Sequence, residues 1–247
     1  MLLVFAAALV VTYLPQYRAS LWQRPLKVEI YPINGDNTVA TENYIAGLRP
    51  EHFAPVADFI GSEARRYGKT VSPALRIYLA RELRARPPEA PAAGHDVLDV
   101  IGWSLRLRYW AFRHSTPHRS LSPKVRIFVQ YYTDAEGGAL KHSLGLREGL
   151  IGVVHAFARS EQDEQNNVVI AHELLHTLGA TDKYDAHTLP VFPRGYAEPT
   201  REPRYPQTHA EIMGGRIPVA PDRAVMPVGL VQCVVGEDTA REINWVK

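Results

Sequence analysis

The stretch AHELLHTLGATDKYD, residues 171–185, decides how the rest of the chain is read. It holds His172 and His176, four apart, with Glu173 directly after the first. On a helix such a pair shares one face, with Cβ atoms about 5–6 Å apart. Two imidazole nitrogens there can each reach one Zn²⁺ at about 2.0–2.1 Å. Glu173 lies near that face without aiming at the metal, so it can hold a water that the metal also binds. The spacing points to a metal-activated nucleophile beside a general base.

The surroundings bear on this reading. Val168, Val169, Ile170, Ala171, Leu174, Leu175 and Leu178 make a helix, predicted over 163–178, that is apolar on most faces and therefore buried. Buried polar groups left unpaired cost on the order of a few kcal/mol each, and a shared metal satisfies them. The competing reading is two histidines bonded to core carbonyls. A third ligand requires the helix to turn. Gly179 stands where it can end with positive φ, after which the chain doubles back and presents Asp182. Asp185 and Glu211 are the alternative third ligands.

The full string, H-E-x-x-H-x-x-G-x-x-D, resembles the metzincin metallopeptidases, whose motif ends in histidine or, in some small secreted bacterial members, in aspartate. His172, Glu173, His176, Gly179 and Asp182 match position by position. EIMGG, 211–215, resembles the family's methionine turn, which implies Met213 beneath the metal; Met226 is a second candidate. The tyrosine often found two residues after that methionine is replaced here by Gly215. Tyr184, Tyr196 and Tyr205 could each supply its hydroxyl. The resemblance covers about 168 to 215 and implies zinc-dependent hydrolysis of protein or peptide substrates, with Glu173 as base. The alternatives are a catalytically inactive zincin-like binding or structural domain and a non-peptide metallohydrolase. A retained Glu173 favours the enzyme, because a purely structural site needs no base.

Upstream, strand-like and helix-like segments alternate. LKVEIYPI (26–33), SPALRIYLA (72–80) and SPKVRIFVQYY (122–132) read as strands, and 52–67 as a one-faced helix. SLGLREGLIGVVHAFA (143–158) reads as two short strands joined near residues 148–149, one of them an edge for an extended substrate. His155, on it, has no spacing argument and is read as lining core or cleft. DAEGGA (134–139) is a turn. Asp96 caps a helix whose basic, aromatic part, WSLRLRYWAFRHSTPHR (103–119), is read as half-buried with a solvated arginine face rather than as a lipid-facing surface. Five prolines between 190 and 206 make the C-terminal part irregular. The expected fold is α+β. It is a single zincin-like catalytic domain, 25–247, with a twisted mixed sheet, an active-site helix and no internal boundary.

The chain has 247 residues, 46% of them apolar, enough for a sizeable core. Its formal charge of +2 lacks the concentrated basic stripe that nucleic acid requires. Cys233, the single cysteine, excludes an internal disulfide, a cysteine-rich metal knot and a cysteine upstream of the motif to cap the zinc. Residues 1–14, MLLVFAAALVVTYL, carry no charged side chain and would span about 21 Å as a helix, against about 30 Å of hydrocarbon. With Pro15 after them and Tyr13, Tyr17 and Trp22 flanking, 1–22 reads as an N-terminal apolar helix, an uncleaved signal anchor. That expectation places the domain at a membrane, on its extracytoplasmic side.

Overall fold

A computed structural model of the chain describes residues 15–91, 96–115, 124–133, 143–147 and 149–246. Five strands form the central sheet: β1 (Leu26–Asn34), β2 (Leu75–Leu79), β3 (Lys124–Tyr132), β4 (Leu144–Leu146) and β5 (Ile151–Phe157). Their order is β2-β1-β3-β5-β4. The first four of these neighbours run parallel, and β4 closes one edge antiparallel to β5, with Leu144 opposite Val153 and Leu146 opposite Ile151.

Both faces of the sheet are covered. Val28, Ile30, Val125, Ile127, Val129 and Val154 point to one face, against α3 (Ala54–Arg66) and α5 (Asp163–Leu178). Tyr31, Ile33, Phe128, Ile151 and Val153 point to the other, where Trp103, Leu107 and Ala111 of α4 (Val97–His114) pack on them. The alternation in β1 therefore does not mark a solvent face. Its polar position Glu29 is buried, accepting from the ammonium of Lys124 at 2.7 Å and from the Tyr31 hydroxyl. A buried charge needs such pairing.

Two readings of α4 part from the structure. Asp96 occupies the N-cap position, but its side chain makes no capping bond. The outward face is also not a plain arginine face. Leu98, Ile101, Leu105, Tyr109 and Phe112 are exposed there, beside Arg106 and Arg113.

The C-terminal part holds more regular structure than its prolines suggest. After α2 (Val39–Gly47) and the central elements come β6 (Ala210–Glu211) paired with β9 (Cys233–Val234), β7 (Ile217–Ala220) paired with β8 (Arg223–Val225), and α6 (Glu237–Glu242). Strands of two to four residues carry no readable period, so sequence pattern misses them.

The expected membrane anchor is corrected. Among the described residues no helix is long and apolar enough to cross a membrane. The run 1–14 lies outside them, as does the expected turn at 134–139. Residues 15–20 are helical (α1) and Ala19 is buried in the core. Trp22, read as an interfacial flank of the anchor, is a core residue. Its indole packs edge-on to Trp245 at 5.3 Å and its Nε1 donates to the Ile243 carbonyl at 2.8 Å. An indole fits a protein core with one polar partner as well as a bilayer interface, and sequence alone does not separate the two.

Trp22 thus ties the N-terminal segment to the residues that follow α6, and the folded unit includes residues before 25. Trp22→Ala should destabilise the protein by about 3–5 kcal/mol, and a chain beginning at residue 25 by at least as much. Denaturant titration of both against the full chain is the check; coincident midpoints would show that this packing contributes nothing.

Candidate metal centre

The site is built on α5. Its first turn carries Asp163 and Glu164, favourable at the positive end of a helix. The Asn166 side chain accepts from the Phe157 N–H at 3.0 Å and donates to the Phe157 carbonyl at 2.9 Å, fastening the helix to the end of β5. Gly179 ends it with φ 111°, its N–H returning to the last turn. This left-handed backbone favours glycine.

Past that turn three ligand atoms converge. His172 Nε2 and His176 Nε2 are 3.0 Å apart, and each lies 3.1 Å from Asp182 Oδ1. Tetrahedral coordination with bonds of about 2.0–2.1 Å separates ligand atoms by about 3.3 Å, so the triangle needs only a small expansion to hold an ion. The outer nitrogens are engaged as metal-binding imidazoles require. His172 Nδ1 donates to the Ile212 carbonyl at 2.9 Å and His176 Nδ1 to the Ala180 carbonyl at 2.8 Å. A carbonyl only accepts, so each Nδ1 carries a proton, and Nε2 is the atom each ring would turn to a metal. These three residues can hold a metal ion, and among the described residues they are the one such cluster.

The electrostatics have the sign a cation site needs. Burial works against a charged His172, but the Asp182 hydrogen bond and the nearby Glu173 carboxylate outweigh it and raise its pKa to about 9. Burial likewise works against the Asp182 carboxylate, yet the bonds from the two histidines hold it far below the usual carboxylate range.

Glu173 is buried beside the triangle, under β4. The edge strand runs so close that a Cβ on Gly145 would lie 2.3 Å from the Cβ of His176 and 2.6 Å from the Glu173 carbonyl oxygen. Only glycine fits there, and nothing in the sequence signalled it. Tyr184 also enters the site. Its ring lies 6.3 Å from that of His172, and a Cβ on Gly215 would touch it at 4.0 Å. Burial, then the carboxylates of Asp182 and Glu173, push its phenol well above the usual range. Tyr196 and Tyr205 instead bond to each other, hydroxyl to hydroxyl at 2.7 Å. His155 faces Tyr132, whose hydroxyl lies 3.0 Å from its Nδ1.

The alternative third ligands are occupied elsewhere. The carboxylate of Glu211 is fully buried and accepts from the N–H groups of Met213 (2.7 Å), Gly214 (2.8 Å) and Gly236 (2.9 Å) and from the Thr239 hydroxyl (2.7 Å). It shapes the turn that sets Met213, itself fully buried, next to the Ile212 carbonyl. Asp185 accepts from the N–H groups of His187 and Leu189 and caps its own loop. Met226 is exposed.

The ligand loop is braced from behind. The Lys183 N–H donates to the Met213 carbonyl at 2.9 Å, joining the loop to the turn at Met213. Glu242 of α6 accepts from the Thr181 N–H (2.9 Å), the Thr181 hydroxyl (2.7 Å) and the buried Lys183 ammonium (2.8 Å). Asp182 sits between these two clamped residues.

Metal analysis and chelator competition on purified variants test this arrangement. The pair His172→Ala plus His176→Ala should lose the metal outright, and Asp182→Ala should weaken binding at least about tenfold. Glu242→Ala should cost about 10–100-fold, the range for residues that orient ligands. Asp185→Ala should change nothing. Glu211→Ala should lower stability before metal affinity. Loss of metal in Asp185→Ala with retention in Asp182→Ala would reverse the ligand assignment.

No family model matches the chain, and no curated protein matches it. Among solved structures it is similar to that of wild-type OgpA from Akkermansia muciniphila, with 12% sequence identity and a TM-score of 0.36. The match covers 87% of this chain and 58% of that one, so the chain spans less than two thirds of that structure's length.

Proposed function

We propose that this chain is a zinc-dependent endopeptidase of the metzincin type. The observation that carries the reading is the triangle of His172 Nε2, His176 Nε2 and Asp182 Oδ1, 3.0–3.1 Å on a side, with the buried Glu173 beside it. Two imidazoles and one carboxylate form a donor set that suits zinc. A zinc ion held by these three residues would supply Lewis acidity to a water and to a peptide carbonyl.

The remaining steps belong to the chain's own side chains. Glu173 takes the proton of the attacking water and delivers it to the leaving amine nitrogen. Tyr184, against Gly215, donates its hydroxyl hydrogen to the carbonyl oxygen as that atom gains charge. It does the work of the tyrosine that metzincins carry two residues past the methionine, from a different point in the chain. The outer edge of β4 takes an extended substrate by main-chain hydrogen bonds, which give affinity without sequence preference. A structural site would not require a buried carboxylate next to the triangle.

Digestion of a mixed peptide library, read by mass spectrometry, tests the reading with parent, chelator-treated parent and Glu173→Gln. The variant keeps size and hydrogen bonding but cannot accept a proton. It should retain zinc and fold, and lose at least about 10²-fold in rate. A parent that holds zinc and cuts nothing would favour a non-catalytic domain, and a variant as fast as the parent would remove Glu173 as base.

Tyr184→Phe should keep its zinc content and KM while kcat falls about 10–10³-fold, as for loss of one donor to a developing oxyanion. A fall in zinc affinity with kcat unchanged would make Tyr184 a support for Asp182 instead.

A further inference from the structure

The outward face of α4 carries an apolar row that is exposed among the described residues. Leu98, Ile101, Leu105, Tyr109 and Phe112 are each between 50% and 74% exposed. At about 100° per residue all five fall within about 40° of Leu105 around the helix. They form one straight stripe, about 21 Å long from Leu98 to Phe112. A Cβ added at Gly102, beside the stripe, would meet nothing within 4 Å. Contiguous exposed apolar surface of this kind marks an interaction site.

The stripe is symmetric about its centre. Leu98 and Phe112 stand seven residues either side of Leu105, and Ile101 and Tyr109 stand four. Two such helices laid antiparallel across a two-fold axis at Leu105 place Leu105 on its own copy, Ile101 on Tyr109 and Leu98 on Phe112. The charges follow the same symmetry. Asp99, in the first turn, and Arg113, in the last, are both exposed on one flank of the stripe. The two-fold brings each Asp99 opposite the partner copy's Arg113, twice over. Arg106 on that flank and the half-buried Arg108 on the other each approach their own copy near the axis and oppose the association, but two rim pairs of like charge weigh little against ten apolar side chains.

We infer that α4 is a self-association surface: two copies of this chain pair through antiparallel α4 helices, an isologous contact in which every apolar side chain of the stripe meets one from the other copy. The site helix α5 packs on the opposite face of the sheet, so the pairing leaves the metal centre open in both copies.

Sedimentation and light scattering on the full chain at tens of micromolar should give twice the 27.7 kDa mass of one chain. Leu105→Glu should return it to one, with unchanged circular dichroism. Asp99→Arg should weaken association roughly tenfold, and adding Arg113→Asp should restore it. Cross-linking reads the register directly, because the native Cys233 is buried. Leu105→Cys should oxidise readily to a disulfide-linked dimer. Leu98→Cys should link poorly to itself but well to Phe112→Cys in a mixture. A parent of single-chain mass at 100 µM overturns the inference, and so does Leu98→Cys self-linking as fast as Leu105→Cys. A single-chain mass combined with flotation on anionic vesicles would instead make the stripe a lipid-facing surface and equally overturn it.

Discussion

The left-handed backbone at Gly179 ends α5 and sends the chain back across its own last turn. Several parts of the site depend on that reversal. The Ala180 carbonyl, one residue on, is the acceptor that fixes the tautomer of His176, while the Ala180 N–H closes the turn on the Leu175 carbonyl at 3.1 Å. Two residues further, Asp182 Oδ1 reaches both histidine Nε2 atoms. A side chain at 179 would suffer the left-handed conformation, and its Cβ would crowd the Arg147 guanidinium at 3.2 Å. One backbone angle thus supplies both the third ligand and a support for the second.

A turn alone does not hold a ligand in place. Asp182 is partly exposed, and a free carboxylate on a loop would sample many positions. Its neighbours prevent this: Thr181 is held by two bonds to Glu242, and Lys183 by one to Glu242 and one to the Met213 carbonyl. The turn at Met213 is fixed in its own right by the four donors converging on Glu211. The ligand loop is therefore clamped between two C-terminal elements that lie some thirty to sixty residues later in sequence. Buried, fully bonded carboxylates of this kind rigidify a structure because any alternative leaves a charge unpaired. The candidate ligands sit on one helix and one turn, and the position of the loop ligand is held by the C-terminal part.

Much of the site was legible because its rules are local. Helical spacing pairs His172 with His176, glycine marks the stop, and the carboxylate that follows faces back. What sequence did not reveal depends on long-range contact. Gly145 matters because β4 crosses α5 within touching distance, and no local pattern signals such a crossing. Glu211 looked like a ligand because an acidic residue beside the methionine turn suits either role; only its four donors separate them. Tyr184 was one of three equivalent tyrosines until the fold set it against Gly215. The parallel sheet with its antiparallel edge was legible as a series of strands, but the burial of both faces was not, since Glu29 in β1 imitates an outward position while being paired inside.

The same ambiguity runs through α4. A helix with arginines among leucines and aromatics reads as half-buried with the charges outside, and the inner half of that reading holds, with Trp103, Leu107 and Ala111 on the sheet. The outer half differs because α4 has apolar residues on two opposite sides, and no single hydrophobic direction describes it. Covering the sheet needs one row of side chains every three or four residues. Among the described residues the second row, from Leu98 to Phe112, has no covering element and stays exposed, and burying it is favourable by about 25 cal/mol per Å² wherever a matching surface exists. The sheet separates the two demands on the molecule. One face carries α5 with the candidate metal centre, and α4 with its exposed outer row lies on the other, so a partner on that row sits across the sheet from the centre.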